Sequence, residues 1–154
     1  GESSAIFLNY HPGFIHAFDP DPMTEQPYRN TMKKYDFSNY EYHPCALGST
    51  VTSADFQNVC RDKNAQAISG EMTTLDIVFQ EQPRSPLGVI SADVEGWGVE
   101  LLKGGKKVIA RDRPVLLLAN YHNREELFGM YEFLMEQKLD YRIIMRALCG
   151  VSLR

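Results

Sequence analysis

The sequence predicts an α/β fold in which a mostly parallel sheet carries helices on both of its faces. Short apolar segments with strand character alternate with segments whose apolar residues recur at helical spacing. One predicted strand, residues 114–119, is a continuous apolar run, which is typical of a strand buried on both faces. Another, residues 87–92, leads directly into an amphipathic helix. With 154 residues, 44% of them apolar, we expect one domain over residues 1–154.

Four elements are predicted in the N-terminal third of the chain. The first strand runs into an Asp-Pro-Asp-Pro sequence, which forces a turn because proline cannot extend a central strand. An aromatic segment with alternating character predicts the second strand. Ser3 or Ser4 is expected to cap the first helix. The predicted elements are a helix at residues 2–9, a strand at 14–18, a helix at 24–34 and a strand at 40–47.

Residues 49–72 are polar, small and aperiodic, and we expect them to form either a surface excursion or a functional lid. The rest of the chain again alternates between helices and strands. Small residues on the helix that begins near residue 98 allow it to pack closely on the sheet. The remaining predicted elements are a short helix at residues 73–80, helices around 98–109 and 127–134, and a final strand at 141–145.

Composition excludes several classes of function. The net charge is −4 and the 16 basic residues are dispersed, so no basic face is available for the phosphate contacts of nucleic-acid binding. No apolar run in the sequence is long enough to span a bilayer. The three cysteines lack C-x-x-C spacing and fit reduced thiols. We therefore expect a cytoplasmic protein with no membrane span and no nucleic-acid partner.

Acidic residues after two predicted strands are the first indication of a site. Asp93 and Glu95 follow one of these strands, and in open α/β sheets ligands bind outside the carboxyl ends of the strands. Asp19 follows another strand and lies 18 positions after Gly1, close to the roughly 20-residue offset at which an acid meets a nucleotide ribose. Asp19 is therefore predicted to bind the ribose of a cofactor. Its alternative role is to shape the Asp-Pro turn.

Four segments, taken in order, resemble a known family. They read FDPDP after the first strand, then TTLD, then ISADVEGWGVELLKGGKKVI, and then RPVLLLANYHNREEL before an aromatic helix. Their order and spacing resemble the FkbM family of S-adenosylmethionine-dependent methyltransferases. The resemblance implies a Rossmann-like class I methyltransferase fold with S-adenosyl-L-methionine as cofactor. It also implies transfer of the methyl group to a hydroxyl of a small molecule or glycan.

The resemblance assigns roles to individual residues. Asp93 and Glu95 match a D-x-E-G motif near the reacting methyl group, and Tyr121 and His122 match a strand-end Y-H at the same cleft. Tyr121 and Trp97 are expected to contact the acceptor, although Trp97 could instead pack in the core. The residues expected around the cofactor are Gly1, Glu2, Ser3, Asp19, Pro20, Cys45, Ala46, Leu47 and Asp93.

The hydroxyl proton of the acceptor needs a destination, and His122, Asp93 and Glu95 are the candidate bases. We favour His122 because an imidazole gains and loses a proton near neutral pH, and its alternative role is to cap the following helix. Glu95 alternatively stabilises the dipole of the helix that follows it. The three side chains could also bind a divalent metal. Because no distance between residues 95 and 122 follows from the sequence, metal-free chemistry is the prediction.

Relative to the family, the chain lacks the first strand with its glycine-rich loop and the last strand, so we expect a domain incomplete at both ends. Two alternatives stay open for its function. One is a non-catalytic fragment or interaction module that keeps the methyltransferase fold. The other is a nicotinamide-dependent oxidoreductase, although the chain lacks the G-x-G-x-x-G of a pyrophosphate site.

Overall fold

A computed structural model describes residues 2–56, 68–80 and 86–146. Strands and helices alternate over most of this length, as predicted. None of the helices in the described residues has the length and apolar character that a membrane span requires. The helices are α1 (Glu2–Leu8), α2 (Glu25–Lys34), α3 (Leu75–Val78), α4 (Gly98–Gly104), α5 (Lys106–Asp112) and α6 (Arg124–Glu136). The strands are β1 (Ile15–Phe18), β2 (Tyr40–His43), β3 (Cys45–Leu47), β4 (Thr52–Phe56), β5 (Ile68–Thr73), β6 (Val89–Ala92) and β7 (Val115–Leu118).

The first elements lie where the sequence predicts them, with two differences. Ser3 and Ser4 lie inside α1 rather than before it, so the prediction that one of them caps this helix is wrong. The strand predicted at residues 40–47 is divided into β2 and β3. Pro44 lies between them, and it interrupts the ladder because proline has no N–H to donate.

β1 and β2 are parallel and are covered on both faces. On one face, Ala17 and Tyr42 pack with Tyr28 and Met32 of α2. On the other face, Phe18 packs against the main core, to which α3, α4, α5 and α6 all contribute. Ala17 and Phe18 are consecutive, and consecutive side chains of a strand point to opposite faces. The prediction of helices on both faces of a parallel arrangement is therefore confirmed.

Part of the segment predicted to be irregular forms a sheet. β5 lies between β3 and β4, parallel to β3 and antiparallel to β4. The expectation of an aperiodic excursion over residues 49–72 is wrong for β4 and β5. These strands are held by backbone pairing with each other and lack the apolar alternation that marks a half-buried strand in a sequence. Residues 57–67 lie outside the described part of the chain.

β6 and β7 form a second parallel pair, in which Ala92 and Leu118 are register partners at the carboxyl ends. Leu116 and Leu118 pack against the main core, whereas Val115 and Leu117 are 57% and 48% exposed. The prediction that β7 is buried on both faces is wrong. An apolar run reports hydrophobicity, but it does not report which faces have neighbours.

The strand predicted at residues 141–145 is also wrong, because residues 141–146 have no regular secondary structure. In the described part of the chain no strand pairs with this segment. Its first residue is held at the end of the core, since the Tyr141 hydroxyl donates a hydrogen bond of 3.0 Å to the carbonyl oxygen of Pro114. Ile144 and Met145 are exposed.

The TTLD segment connects two helices that are distant in sequence. Thr74 caps α3, since its hydroxyl oxygen accepts a hydrogen bond from the Ile77 N–H at 3.1 Å. Asp76 caps α5, since its carboxylate accepts from the N–H groups of Lys107 and Val108 at 3.0 and 2.9 Å. These two N–H groups lie in the first turn of α5 and have no partner within the helix. The segment is therefore structural.

The helix predicted around residues 98–109 is divided at Gly105 into α4 and α5. Gly104, the last residue of α4, lies against the backbone at the end of β3. A Cβ atom at Gly104 would overlap the carbonyl oxygen of Gly48. Glycine is therefore required where α4 crosses the end of β3.

Candidate active site

The acidic motif after β6 forms a tight turn that glycine makes possible. The Trp97 N–H donates to the Val94 carbonyl oxygen at 3.0 Å and closes the turn. Its two central residues, Glu95 and Gly96, have φ values of 50° and 100°, in the left-handed region. A Cβ atom at Gly96 would meet the side-chain amide of Asn123. The turn thus lies directly against the start of α6.

The turn after β6 and the loop after β7 bring four predicted site residues together. His122 Nε2 lies 3.1 Å from Asp93 Oδ1 and 3.4 Å from Glu95 Oε2. The Tyr121 hydroxyl donates to Asp93 Oδ2 at 2.8 Å. The contact follows from topology, because the carboxyl ends of neighbouring parallel strands open onto the same edge of the sheet. The four residues that the sequence predicts in one cleft therefore lie close together, and their roles stay predictions.

A fifth residue, Glu126, is hydrogen-bonded to His122 of this cluster, and the sequence analysis did not predict it. Its side chain is fully buried, and its Oε2 lies 2.8 Å from His122 Nδ1. Its Oε1 accepts from the Gly98 N–H at 3.1 Å, at the first residue of α4. A buried carboxylate is costly unless it is hydrogen-bonded, and Glu126 has a partner for each oxygen. The carboxylate therefore joins His122 to the start of α4.

One sequence signal could have found Glu126. Asn123 caps α6, and its side-chain oxygen accepts from the Glu126 N–H at 2.6 Å. An Asn followed three residues later by Glu is the pattern of a capping box. His122 is the residue before this cap, and its Nδ1 meets the Glu126 carboxylate at 2.8 Å. The alternative role considered for His122, capping α6, is performed by Asn123 instead.

The Glu126 contact determines how His122 presents its second nitrogen. A carboxylate only accepts hydrogen bonds, so Nδ1 carries the hydrogen and Nε2 of the neutral ring is an acceptor. The His122 side chain is 6% exposed, and among the described residues Nε2 makes no hydrogen bond. The nearby oxygens of Asp93 and Glu95 are acceptors too. Three acceptor atoms thus face one another at the strand ends.

The predicted cofactor residues lie at other strand ends and are only partly described. Asp19 follows β1, and its Oδ1 accepts from the Asp21 N–H at 2.9 Å, so the turn-shaping role is present. In the described part of the chain its Oδ2 makes no hydrogen bond, and its role toward a ribose hydroxyl stays a prediction. Pro20 is half-buried beside it. Gly1 lies outside the described residues, and the side chains of Glu2 and Ser3 are likewise not described.

Cys45, Ala46 and Leu47 form β3 and are half-buried. Burial, with a smaller contribution from Glu71, raises the pKa of the Cys45 thiol, so at neutral pH it is protonated. A protonated thiol is a weak nucleophile, which agrees with a packing role rather than a catalytic one. The role of β3 beside an adenine ring stays a prediction.

Trp97 and Tyr121, the predicted acceptor contacts, lie beside the cluster. Trp97 is the residue before α4, and its ring is 40% exposed. The Tyr121 ring packs on the His122 ring, with 4.2 Å between the centroids. Trp97 is therefore not a fully buried core residue. Contact of either ring with an acceptor stays a prediction.

A second group of titratable side chains lies on the face of the β1 and β2 pair. His16 Nδ1 lies 3.1 Å from His43 Nε2, and Glu41 Oε2 lies 3.7 and 3.9 Å from these two nitrogens. The His43 ring stacks on Phe18, and the His16 ring contacts Phe79. Burial lowers the pKa of His43, and Glu41 opposes this shift.

The parallel strands, the helices on both faces and the carboxylate cluster at the strand ends together define an α/β fold with a candidate site at its strand ends. The model of the family described as Methyltransferase FkbM domain matches residues 5–143. The chain belongs to the FkbM methyltransferase family, as the resemblance implied. No curated protein matches it.

One solved structure with this fold is the methyltransferase FkbM from Methylobacillus flagellatus KT. The two chains superpose with a TM-score of 0.74 and share 21% sequence identity. The match covers 92% of this chain and 36% of that one, so the present chain spans about a third of the length of its structural relative. The likeness establishes the fold.

Proposed function

We propose that the protein is an S-adenosyl-L-methionine-dependent O-methyltransferase whose acceptor hydroxyl is positioned at the carboxyl ends of β6 and β7. The observation that carries the proposal is the convergence of Asp93, Glu95, Tyr121 and His122 at this edge, in a chain of the FkbM methyltransferase family. The acceptor class is a small molecule or a glycan. A cytoplasmic location fits the three cysteines, whose number and spacing are typical of reduced thiols.

Asp19 is the described residue of this chain that would hold the ribose of the cofactor. Asp19 would accept hydrogen bonds from the ribose hydroxyls through Oδ2, while its Oδ1 keeps the turn. When bound, the cofactor would supply a methyl group on a sulfonium for transfer to the acceptor oxygen. Asp93, Glu95 and His122 would receive the proton of the acceptor hydroxyl.

Positioning is the larger part of such a reaction and proton removal the smaller. Correct orientation of two reactants is worth roughly 7–11 kcal/mol in ideal cases, and a general base contributes about 10²–10⁴-fold. The rigid parts of the site serve orientation: the Glu126 carboxylate holds His122 and α4, and Tyr121 holds Asp93. Asp93 is 57% exposed and is the member of the cluster that an acceptor reaches most easily.

Calorimetric titration with S-adenosylhomocysteine tests the cofactor assignment. We expect Asp19→Ala to weaken binding by about 10–100-fold, because it removes charge-assisted hydrogen bonds. Asp21→Ala is the matched control, since Asp21 accepts only within the same turn, from the Met23 N–H. Equal binding by the wild-type protein and Asp19→Ala would remove the ribose role. Absence of binding by all three proteins would favour the alternative of a non-catalytic module.

A further inference from the structure

We propose that Asp93, Glu95 and His122 form a binding site for a divalent metal ion that accepts both oxygen and nitrogen ligands, with Mn²⁺ as its representative. The inference rests on the proposed function for the role of the ion, whereas binding itself follows from the geometry of the cluster. It replaces metal-free chemistry, which was the prediction as long as the distance between residues 95 and 122 was unknown.

The distances within the cluster are those between ligands of one ion. Ligand atoms about 2.0–2.2 Å from a common metal lie roughly 3.0–3.5 Å apart. Nε2 of His122 lies 3.1 Å from Asp93 Oδ1 and 3.4 Å from Glu95 Oε2. All three ligand atoms lie within 4.8 Å of one another. No large side-chain movement is needed to bind an ion.

The direction of the contacts also favours a metal over a proton. If His122 carried a hydrogen on Nε2, the neighbouring oxygens should accept it in line, yet Nε2 has no contact with hydrogen-bond geometry among the described residues. A metal ion lies along the lone pair of its nitrogen ligand. The other ligands of that ion therefore lie to the sides of this direction, where a hydrogen bond from the nitrogen would be poorly aligned. The buried Nε2 atom is thus oriented toward the cluster without a hydrogen-bond partner.

Glu126 prepares His122 for this role. Histidine ligands commonly donate their second N–H to a carboxylate, which fixes the tautomer and raises the basicity of the ligating nitrogen. The 2.8 Å contact between His122 Nδ1 and the buried Glu126 Oε2 is such an interaction. Asp93 is oriented in the same way, because its Oδ2 accepts from Tyr121 and its Oδ1 faces Nε2.

The ligand set indicates the class of ion and its role. Two carboxylates and one imidazole suit Mn²⁺ or Zn²⁺ better than Ca²⁺, which prefers oxygen ligands throughout. Asp93 and Glu95 are 57% and 40% exposed, so the outer side of the ion would be open to an acceptor hydroxyl. A hydroxyl bound there loses its proton more readily, and Glu95 Oε1 can receive it.

The group of His16, Glu41 and His43 is the natural comparison within the chain. Its ligand atoms lie equally close together, but His16 Nδ1 and His43 Nε2 are 3.1 Å apart and share a hydrogen bond. In this pair His16 Nδ1 and His43 Nε2 are each other's partner, whereas within the described residues Nε2 of His122 has no hydrogen-bond partner. We therefore place the ion at the strand ends and use the second group as a control.

Titration with Mn²⁺, followed by the electron paramagnetic resonance signal of the free ion, tests the proposal. We expect one bound ion per chain, and a loss of affinity of more than about tenfold in His122→Ala. Asp93→Asn should have a similar effect, and it is the safer variant because the side chain is exposed and keeps its size. Glu126→Gln should weaken binding about 10–100-fold by disturbing the tautomer of His122.

Two control variants define the result that would overturn the proposal. Glu132→Gln changes an exposed acid of α6 and should leave the affinity unchanged. His16→Ala should also leave it unchanged, and a loss of binding there would relocate the ion and refute the strand-end site. Equal affinity in the wild-type protein, Asp93→Asn and His122→Ala would refute it as well, provided that circular dichroism shows the variants folded.

The proposal can fail independently of the proposed function. Binding of S-adenosylhomocysteine in EDTA without specific Mn²⁺ binding would refute the metal site and leave the methyltransferase assignment standing. Specific Mn²⁺ binding without any S-adenosylhomocysteine binding would support the metal site and count against the assignment of the cofactor.

Discussion

Asp76 and Asp93 are two aspartates of the same main-core region, and each lies close to the start of a helix. Both oxygens of Asp76 accept from backbone N–H groups of α5, at distances between 2.9 and 3.1 Å. The oxygens of Asp93 instead face two side chains, the Tyr121 hydroxyl and the His122 ring. Asp76 is half-buried, whereas Asp93 is 57% exposed.

The difference shows how the same residue serves structure in one place and chemistry in another. When both oxygens of a carboxylate accept hydrogen bonds from backbone N–H groups, neither oxygen is available to a ligand. Removal of that carboxylate leaves helix N–H groups without partners. A carboxylate at a strand end whose oxygens face side chains can exchange those contacts for a ligand. We expect the first kind to determine stability and the second kind to determine binding.

Gly104→Ala is expected to produce the largest loss of stability, because the new Cβ atom would overlap the Gly48 carbonyl oxygen. Gly104, like Asp76, is expected to affect stability rather than binding. Forcing a methyl group into a packed site costs about 1–3 kcal/mol. Urea unfolding followed by circular dichroism measures the change. Gly88→Ala is the matched control, since its Cβ atom would have no neighbour within 4 Å. Equal effects of the two changes would contradict the proposed close contact.

Asp76→Ala should lower the free energy of unfolding by about 1–2 kcal/mol, the usual cost of losing a helix cap. The expected reason is the loss of the acceptors for Lys107 and Val108 at the start of α5. The same unfolding experiment applies. The affinity of the folded variant for Mn²⁺ and for S-adenosylhomocysteine should be unchanged. A large loss of affinity for either ligand would contradict the purely structural role of Asp76.

Asp93→Ala should show the opposite pattern. Its exposed side chain leaves no buried group behind, so the free energy of unfolding should change by less than about 0.5 kcal/mol. Affinity for Mn²⁺ should fall, as for Asp93→Asn. Unfolding and titration of one protein preparation measure both quantities. If Asp93→Ala were as destabilising as Asp76→Ala, the strand-end cluster would be structural.

The smallest expected effect extends the comparison to histidines. Burial lowers the pKa of His43 in the folded protein below the ordinary value of 6.5, against the opposing charge of Glu41. Because the unfolded chain binds the proton more readily, stability is fully present above about pH 6.5 and declines as the pH falls through and below that value.

Chemical unfolding at pH 8 and at pH 5.5, compared between the wild-type protein and His43→Gln, measures this effect. The variant should lose less stability on acidification than the wild type. An identical pH dependence of the two proteins would contradict the burial effect on His43.

The sequence predicted the parts of the fold that have a strong pattern. Alternating strands and helices, and the acids after β6, follow from apolar periodicity and from the position of Asp93 and Glu95. β4 and β5 were missed because their stability comes from pairing between backbones, which leaves little trace in the order of side chains. The exposed face of β7 was missed for a related reason, since burial depends on neighbours that the strand itself does not encode.

The site was predicted in the same uneven way. Motif order brought Asp93, Glu95, Tyr121 and His122 into one cleft, but the motif TTLD gave no sign that its aspartate caps α5 rather than serving a ligand. Glu126 was missed because a glutamate in a helix is usually a solvated side chain. Only the packing of α6 against α4 buries it, and that packing is a property of the assembled fold.

The left-handed conformation of Glu95 bears on how this protein could be engineered. Side chains other than glycine are disfavoured at such a φ by about 1–2 kcal/mol, so Glu95→Gly should relieve the turn and raise stability. A design procedure that scored only folding would choose glycine there and discard an acid of the cleft. At position 95, the residue that gives the higher thermal stability is therefore not the residue that preserves ligand binding.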